Sequence, residues 1–149
     1  MKNIIILIIT LFSINYSFGQ MKVYTGTDVY NMSNLVGKIY SSGQVYKIRN
    51  GSEELIGEVK NDKLYINSNY FGRYSDIPTM GGGGKILLYN YGGTNSDVMV
   101  GFRDGGRYYY GKDIDDDSTM MGFHIGDFLN GMNGNYVAAF FLIMLYYNE

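Results

Sequence analysis

Hydrophobic and polar positions alternate over only short distances in most of this chain. Two stretches depart from that rule. Ile4 to Ile14 reads IIILIITLFSI and is almost unbroken in its apolar character; Tyr136 to Tyr147 reads YVAAFFLIMLYY and is apolar on every face. Between them an element recurs: an apolar-Tyr pair, a polar stretch, then an apolar-Gly pair with a short alternating tail. The copies are Val29-Tyr30 with Val36-Gly37, Val45-Tyr46 with Ile56-Gly57, Leu64-Tyr65 with Phe71-Gly72, Leu88-Tyr89 with Val100-Gly101, and Tyr109-Tyr110 with Met121-Gly122. Turn signals separate the segments: Ser41-Ser42-Gly43, Asn50-Gly51-Ser52, Asn61-Asp62, Asn67-Ser68-Asn69 and Asp104-Gly105-Gly106. Gly and Asn accept the positive φ of tight reversals. Glu54 to Lys60 and Lys63 to Asn67 form a predicted hairpin across Asn61-Asp62. In it, Leu64 and Ile66 share one face and Tyr65 takes the other.

These periods predict an all-β domain of repeated β-hairpins arranged around a common centre. No segment after the first twenty residues combines helical period, cap and length. A lone hairpin is marginal in water, so the copies must stack to bury a core. The repeating Gly predicts a bend or a close backbone approach. The hairpins run over about residues 29–127, within one domain spanning 20–149. Tyr136 to Tyr147 is too short as a helix, at about 18 Å, to cross a bilayer core. It predicts either burial inside the hairpin array or a homo-oligomer or membrane contact.

The N-terminal run changes the picture of where the domain works. Lys2 precedes the apolar stretch, and Ser17 and Gly19 stand at the -3 and -1 positions of a cut before Gln20. That is the layout of a secretory signal peptide over residues 1–19. A membrane anchor fits less well, since eleven helical residues reach about 16 Å against a core of about 30 Å. The expected location is exported: periplasm, outer envelope or secreted, with the first two implying a Gram-negative bacterium. Outer-membrane barrels, the other exported Gly/Tyr-rich class, need strands of about nine to eleven residues with apolar-out alternation. Most strands here read as shorter.

The run of Val29-Tyr30, Val36-Gly37-Lys38-Ile39, Val45-Tyr46, Ile56-Gly57-Glu58-Val59, Leu64-Tyr65 and Phe71-Gly72-Arg73-Tyr74 resembles the β-flower proteins, small exported bacterial proteins of four or five repeated hairpins. The tail Asn135-Tyr136-Val137-Ala138-Ala139-Phe140-Phe141 is also similar to the five-fold members. The resemblance covers roughly Val23 to Tyr147. It implies the fold and an envelope or secreted location, and no catalytic or binding residue.

Composition narrows the chemistry. Across 149 residues there is no Cys and one His, which excludes disulfides, thiolate chemistry and a multi-histidine metal site in one chain. A formal charge of -2 argues against nucleic acid as a partner. Gly81 to Gly84 before Lys85 is not a phosphate loop, because Thr79 and Ile86 stand where Gly and Ser or Thr belong; it reads as a flexible connector. Asp113, Asp115 and Asp117 place carboxylates at alternate positions, as calcium sites do, but Ser118 and His124 replace the turn Gly and the bidentate Glu. Calcium is the one cofactor these residues suggest. His124 lies in an apolar strand-like setting that reads as a hydrogen-bonded structural position; a hydrolase would need an activated nucleophile or an orienting group, and the sequence holds no Gly-x-Ser-x-Gly elbow. The expected function is a non-enzymatic structural or interaction module of the envelope, with an unidentified protein or glycan as partner. The alternative is a glycan-binding module using exposed tyrosines, Tyr108, Tyr109 and Tyr110 together with Tyr70, Tyr74, Tyr89 and Tyr91, whose rings offer flat apolar faces with polar tips.

Overall fold

A computed structural model describes residues 19–26, 32–76, 83–111, 119–126 and 134–147. Val29-Tyr30, residues 77–82, the aspartate cluster and nearly all of the signal segment lie outside the described residues. The described residues hold ten strands: β1 (Gln20–Gly26), β2 (Met32–Tyr40), β3 (Gln44–Arg49), β4 (Ser52–Lys60), β5 (Lys63–Ile66), β6 (Asn69–Asp76), β7 (Gly84–Tyr89), β8 (Asp97–Asp104), β9 (Arg107–Tyr110) and β10 (Thr119–Ile125). Each pairs antiparallel with its neighbours in sequence, and β10 returns to β1, closing a barrel. The chain is all-β in plan, as the hairpin periods predict, with one departure. Residues Gly134–Tyr147 form a helix, α1.

That helix corrects the expectation of a helix-free domain. It is apolar all round, and such a helix has to be buried. The barrel supplies the burial: α1 touches β1, β2, β4, β5, β6, β7 and β10. Val137, Ala138, Ala139, Phe140, Leu142 and Ile143 have no exposed surface. A strand here would have left backbone groups unpaired inside the ring, whereas a helix satisfies its own. No described helix is long and apolar enough to cross a membrane. The strands hold four to nine residues and point apolar side chains inward, the reverse of the outward apolar band that lipid demands.

The five hairpins β1–β2, β3–β4, β5–β6, β7–β8 and β9–β10 are equivalent by a single criterion. Each has a register shift just before its apolar-Gly pair ends, so Gly37, Gly57, Gly72, Gly101 and Gly122 stand opposite Val23, Val45, Leu64, Ile86 and Tyr108. Those five partners are all fully buried. An added methyl at each glycine would strike the backbone carbonyl one strand onward. At Gly37 it would lie 2.6 Å from Tyr46 O, and at Gly57 and Gly72 2.5 Å from Tyr65 O and Leu87 O; Gly101 meets Tyr109 O and Gly122 meets Tyr24 O. The glycine of every hairpin thus lets the next hairpin close against it, and the last meets the first. At Gly37 and Gly101 the same methyl would also collide with Leu142 and Phe140 of α1, and at Gly122 it would press on Ile143 at 3.1 Å.

The register corrects the phase of three copies. The first begins at Val23-Tyr24, the fourth at Ile86-Leu87 and the fifth at Tyr108-Tyr109. The loops between pairs vary in length, which obscures the frame in the sequence. Gly84 opens β7 and is buried, because its missing side chain is the space occupied by the Tyr74 ring; it belongs to the wall and not to a connector.

Candidate functional site

The hairpin tips and the turns between hairpins occupy opposite ends of the barrel. Gly134 packs on Val59 and the Asp62–Lys63 turn, so α1 starts at the turn end, and the Tyr146 hydroxyl donates to Ile48 O near a tip. Two residues beyond the equivalent glycine of each hairpin lies an inward position at the turn end: Ile39, Val59, Tyr74, Arg103 and His124. The first two are apolar and buried. The other three meet α1 as a polar cluster.

The guanidinium of Arg103 stacks 4.0 Å above the Tyr136 ring and donates to Tyr74 Oη at 3.1 Å. Tyr74 and Tyr136 are 4.7 Å apart at their centroids, and the Tyr74 hydroxyl donates to Gly83 O at 3.2 Å. His124 Nδ1 is 3.1 Å from Tyr108 Oη. Burial, with Arg103 adding to it, lowers the His124 pKa to about 4. Burial raises Tyr74 to about 12, against the pull of Arg103; Tyr108, wholly buried, is raised well above the ordinary phenol value. At neutral pH the histidine and tyrosines are therefore uncharged. A general acid or base works best with a pKa near the working pH, and neither group has one. The arrangement suits holding the start of α1 against the last three hairpins.

The sequence-level tyrosine candidates separate. Tyr108 is buried inside the barrel. Tyr109 lies flat on Phe102, its cross-strand partner, with centroids 4.9 Å apart and planes 7° apart. Tyr110 is 45% exposed and borders a cleft with Tyr91, Val98 and Met99. Strand alternation sends adjacent residues to opposite faces, so three consecutive tyrosines do not make one platform. Tyr24 stacks on Phe123 and Tyr46 meets Tyr40 edge-on in the same manner as the Tyr109 pair: these rings close the seams between neighbouring hairpins.

A contiguous aromatic strip lies elsewhere, across β5, β6 and β7. Tyr65 and Tyr70 are 6.1 Å apart, and Tyr70 and Tyr89 5.5 Å apart. Tyr89 is 41% exposed. Asp97 flanks the strip, accepting from Tyr70 Oη at 3.0 Å and from Arg73 Nε at 2.6 Å. Burial, then the bond to Asp97, raises the Tyr70 pKa to about 12. On the first two hairpins Lys38 and Tyr40 both donate to Glu53, at 2.5 and 2.8 Å, and hold its carboxyl below the usual range. Among the described residues no three metal-binding side chains gather; Asp113, Asp115 and Asp117 lie outside them. Arg103 and Tyr136 are missed by motif reading, as is Tyr65 of the strip, whereas Tyr70, Tyr74 and Tyr89 stand among the sequence's tyrosine candidates. The cluster around Arg103 has one sequence signal, the polar substitutions at the second position after the glycine in the last three copies.

Compared with protein-family models, with curated proteins and with solved structures, the chain matches none.

Proposed function

We propose that this chain is an exported, non-enzymatic interaction module of the bacterial envelope, a five-fold β-flower that presents its outer hairpin faces to a partner. The observation that carries the reading is the cyclic equivalence of the five glycines and carbonyls, which makes the interior a packing device filled by α1 and leaves the outside as working surface. The uncharged state of the buried histidine and tyrosines near neutrality supports the non-enzymatic part. The signal-like N-terminus supports export. Fractionation of cells producing the full chain tests it: a processed chain beginning at Gln20 is expected in the periplasm, envelope or medium. An unprocessed chain in the cytoplasm would end the proposal.

A second reading is glycan binding, supported by the Tyr65–Tyr70–Tyr89 strip with Asp97 and Arg73 beside it. The rings supply apolar faces for sugar carbons, and the charged pair supplies hydrogen-bonding groups for hydroxyls. Immobilised polysaccharides are expected to retain the protein, and Tyr89→Ala to reduce retention by about tenfold while Tyr108→Phe does not. Equal retention of Tyr89→Ala, or none by the parent across a broad panel, removes this reading. Calcium at Asp113, Asp115 and Asp117 stays a proposal of the same kind, checked by calcium titration.

A further inference from the structure

The ladders between hairpins close only at the turn end, and the seam between the second and third hairpins is the most uneven. There the nine-residue β4 runs beside the four-residue β5. They pair only at Glu58, Val59 and Lys60. From Ser52 to Ile56, β4 is laddered to β3 alone among the described strands. One row of its backbone N–H and C=O groups therefore faces no described strand. Such an edge is a template for another strand, and native proteins usually blunt it with shortness, charge or a cover.

This edge is only partly blunted. Leu55 is 55% exposed, the highest value among the exposed large hydrophobic side chains of the described residues. Two clefts share it. One, about 250 Å³, lies against Gln44, Glu58 and Tyr65. The other, about 280 Å³, is lined by Glu54, Ile66 and the half-buried Phe141 and Leu145 of α1. The seam thus offers backbone pairing, an apolar floor and carboxylates at one place.

The geometry points to a strand-addition site: the β4 edge from Ser52 to Ile56 accepts an extended peptide segment of a partner protein that alternates cationic and apolar side chains. Strand alternation would set the peptide's apolar residues on the inner face, over Phe141 and Leu145. Its cations would take the outer face, with their stems along Leu55 and their charges toward Glu58, which Lys60 also pairs at 2.7 Å. Main-chain bonds give affinity in this mode and alternate side chains give specificity. A second copy of this chain is a poorer occupant, since pairing two β4 edges gathers the Glu53 and Glu54 carboxylates of both chains, and like charges across strands destabilise. The site deepens the interaction-module reading and names its partner class.

The test uses the processed chain and a labelled, extended hexapeptide amide of alternating lysine and valine. A second probe is the same peptide with alternate backbone nitrogens methylated. Fluorescence anisotropy is expected to show binding of the first and at least about tenfold weaker binding of the second. Hydrogen exchange at Ser52–Ile56 is expected to slow on binding. Leu55→Ser and Glu54→Lys should each weaken binding about tenfold while exchange in the Glu58–Lys60 ladder stays unchanged, which reports an intact fold. Absence of binding, equal binding of the methylated peptide, or protection confined to the Tyr65–Tyr89 strip would each overturn the proposal. So would concentration-dependent protection of Ser52–Ile56 without peptide, which would make a second copy the occupant. All these readouts come from purified protein, so they fail independently of the compartment that decides the wider reading.

Discussion

His124 occupies the place that Ile39 and Val59 hold in the first two hairpins, and its chemistry follows from that place. A buried imidazole beside a guanidinium resists protonation, which is why its pKa falls to about 4 from an ordinary 6.5. The folded-state pKa lies below the unfolded one. The linked stability is therefore fully present above about pH 6.5 and is lost progressively as pH falls through about 4. The difference corresponds to about 3 kcal/mol. Urea unfolding followed from pH 7 to pH 4 should show that decline in the parent, and His124→Gln should flatten it. A parallel decline in both proteins would remove His124 as its source. The apolar setting of Met121 to Ile125 made a structural histidine legible in the sequence. Tyr108 faces it across its own hairpin, whereas Arg103 on β8 and Tyr136 on α1 reach it only once the hairpins and the helix pack together.

Hairpins are the scale at which sequence and structure agree best. Asn50 and Gly51 both take positive φ between β3 and β4, as do Asn67 and Ser68 between β5 and β6; side-chain chemistry alone announces such turns. Asn61-Asp62 also makes the expected reversal, joining β4 to β5, although this pair forms a seam between two hairpins and not one of the five equivalent hairpins. The recurring glycine was legible as a place of close approach, and the neighbour is the carbonyl of the next hairpin. Gly57→Ala should therefore cost about 1–3 kcal/mol, the range for forcing atoms into a packed site, because its methyl would sit 2.5 Å from Tyr65 O. Ser52→Ala, on the exposed end of the same strand, should change stability by less than about 0.5 kcal/mol. Chemical denaturation of both variants decides the matter. A loss at Ser52 matching that at Gly57 would count against the carbonyl contact.

Across the whole molecule, no hairpin encloses anything without the others, and α1 is the body they enclose. Phe140 has no exposed surface and fills space that Gly101 leaves open. Phe140→Ala should cost about 3–5 kcal/mol, and far-ultraviolet and tyrosine signals should still unfold together, since the hairpins share one core. Separate transitions for the two signals would mean that the hairpins are stable alone. Local order in the residues determined much by itself: the strand periods, the turns, the recurrence and the interior demand of an apolar tail are all short-range properties of the chain. The tertiary structure decided the rest. Whether YVAAFFLIMLYY became helix or strand depended on the width of the space around it, and the phase of the repeats depended on which carbonyl each glycine met. Both are set by closure of β10 onto β1, a contact between opposite ends of the barrel chain, and no local window of sequence carries that information.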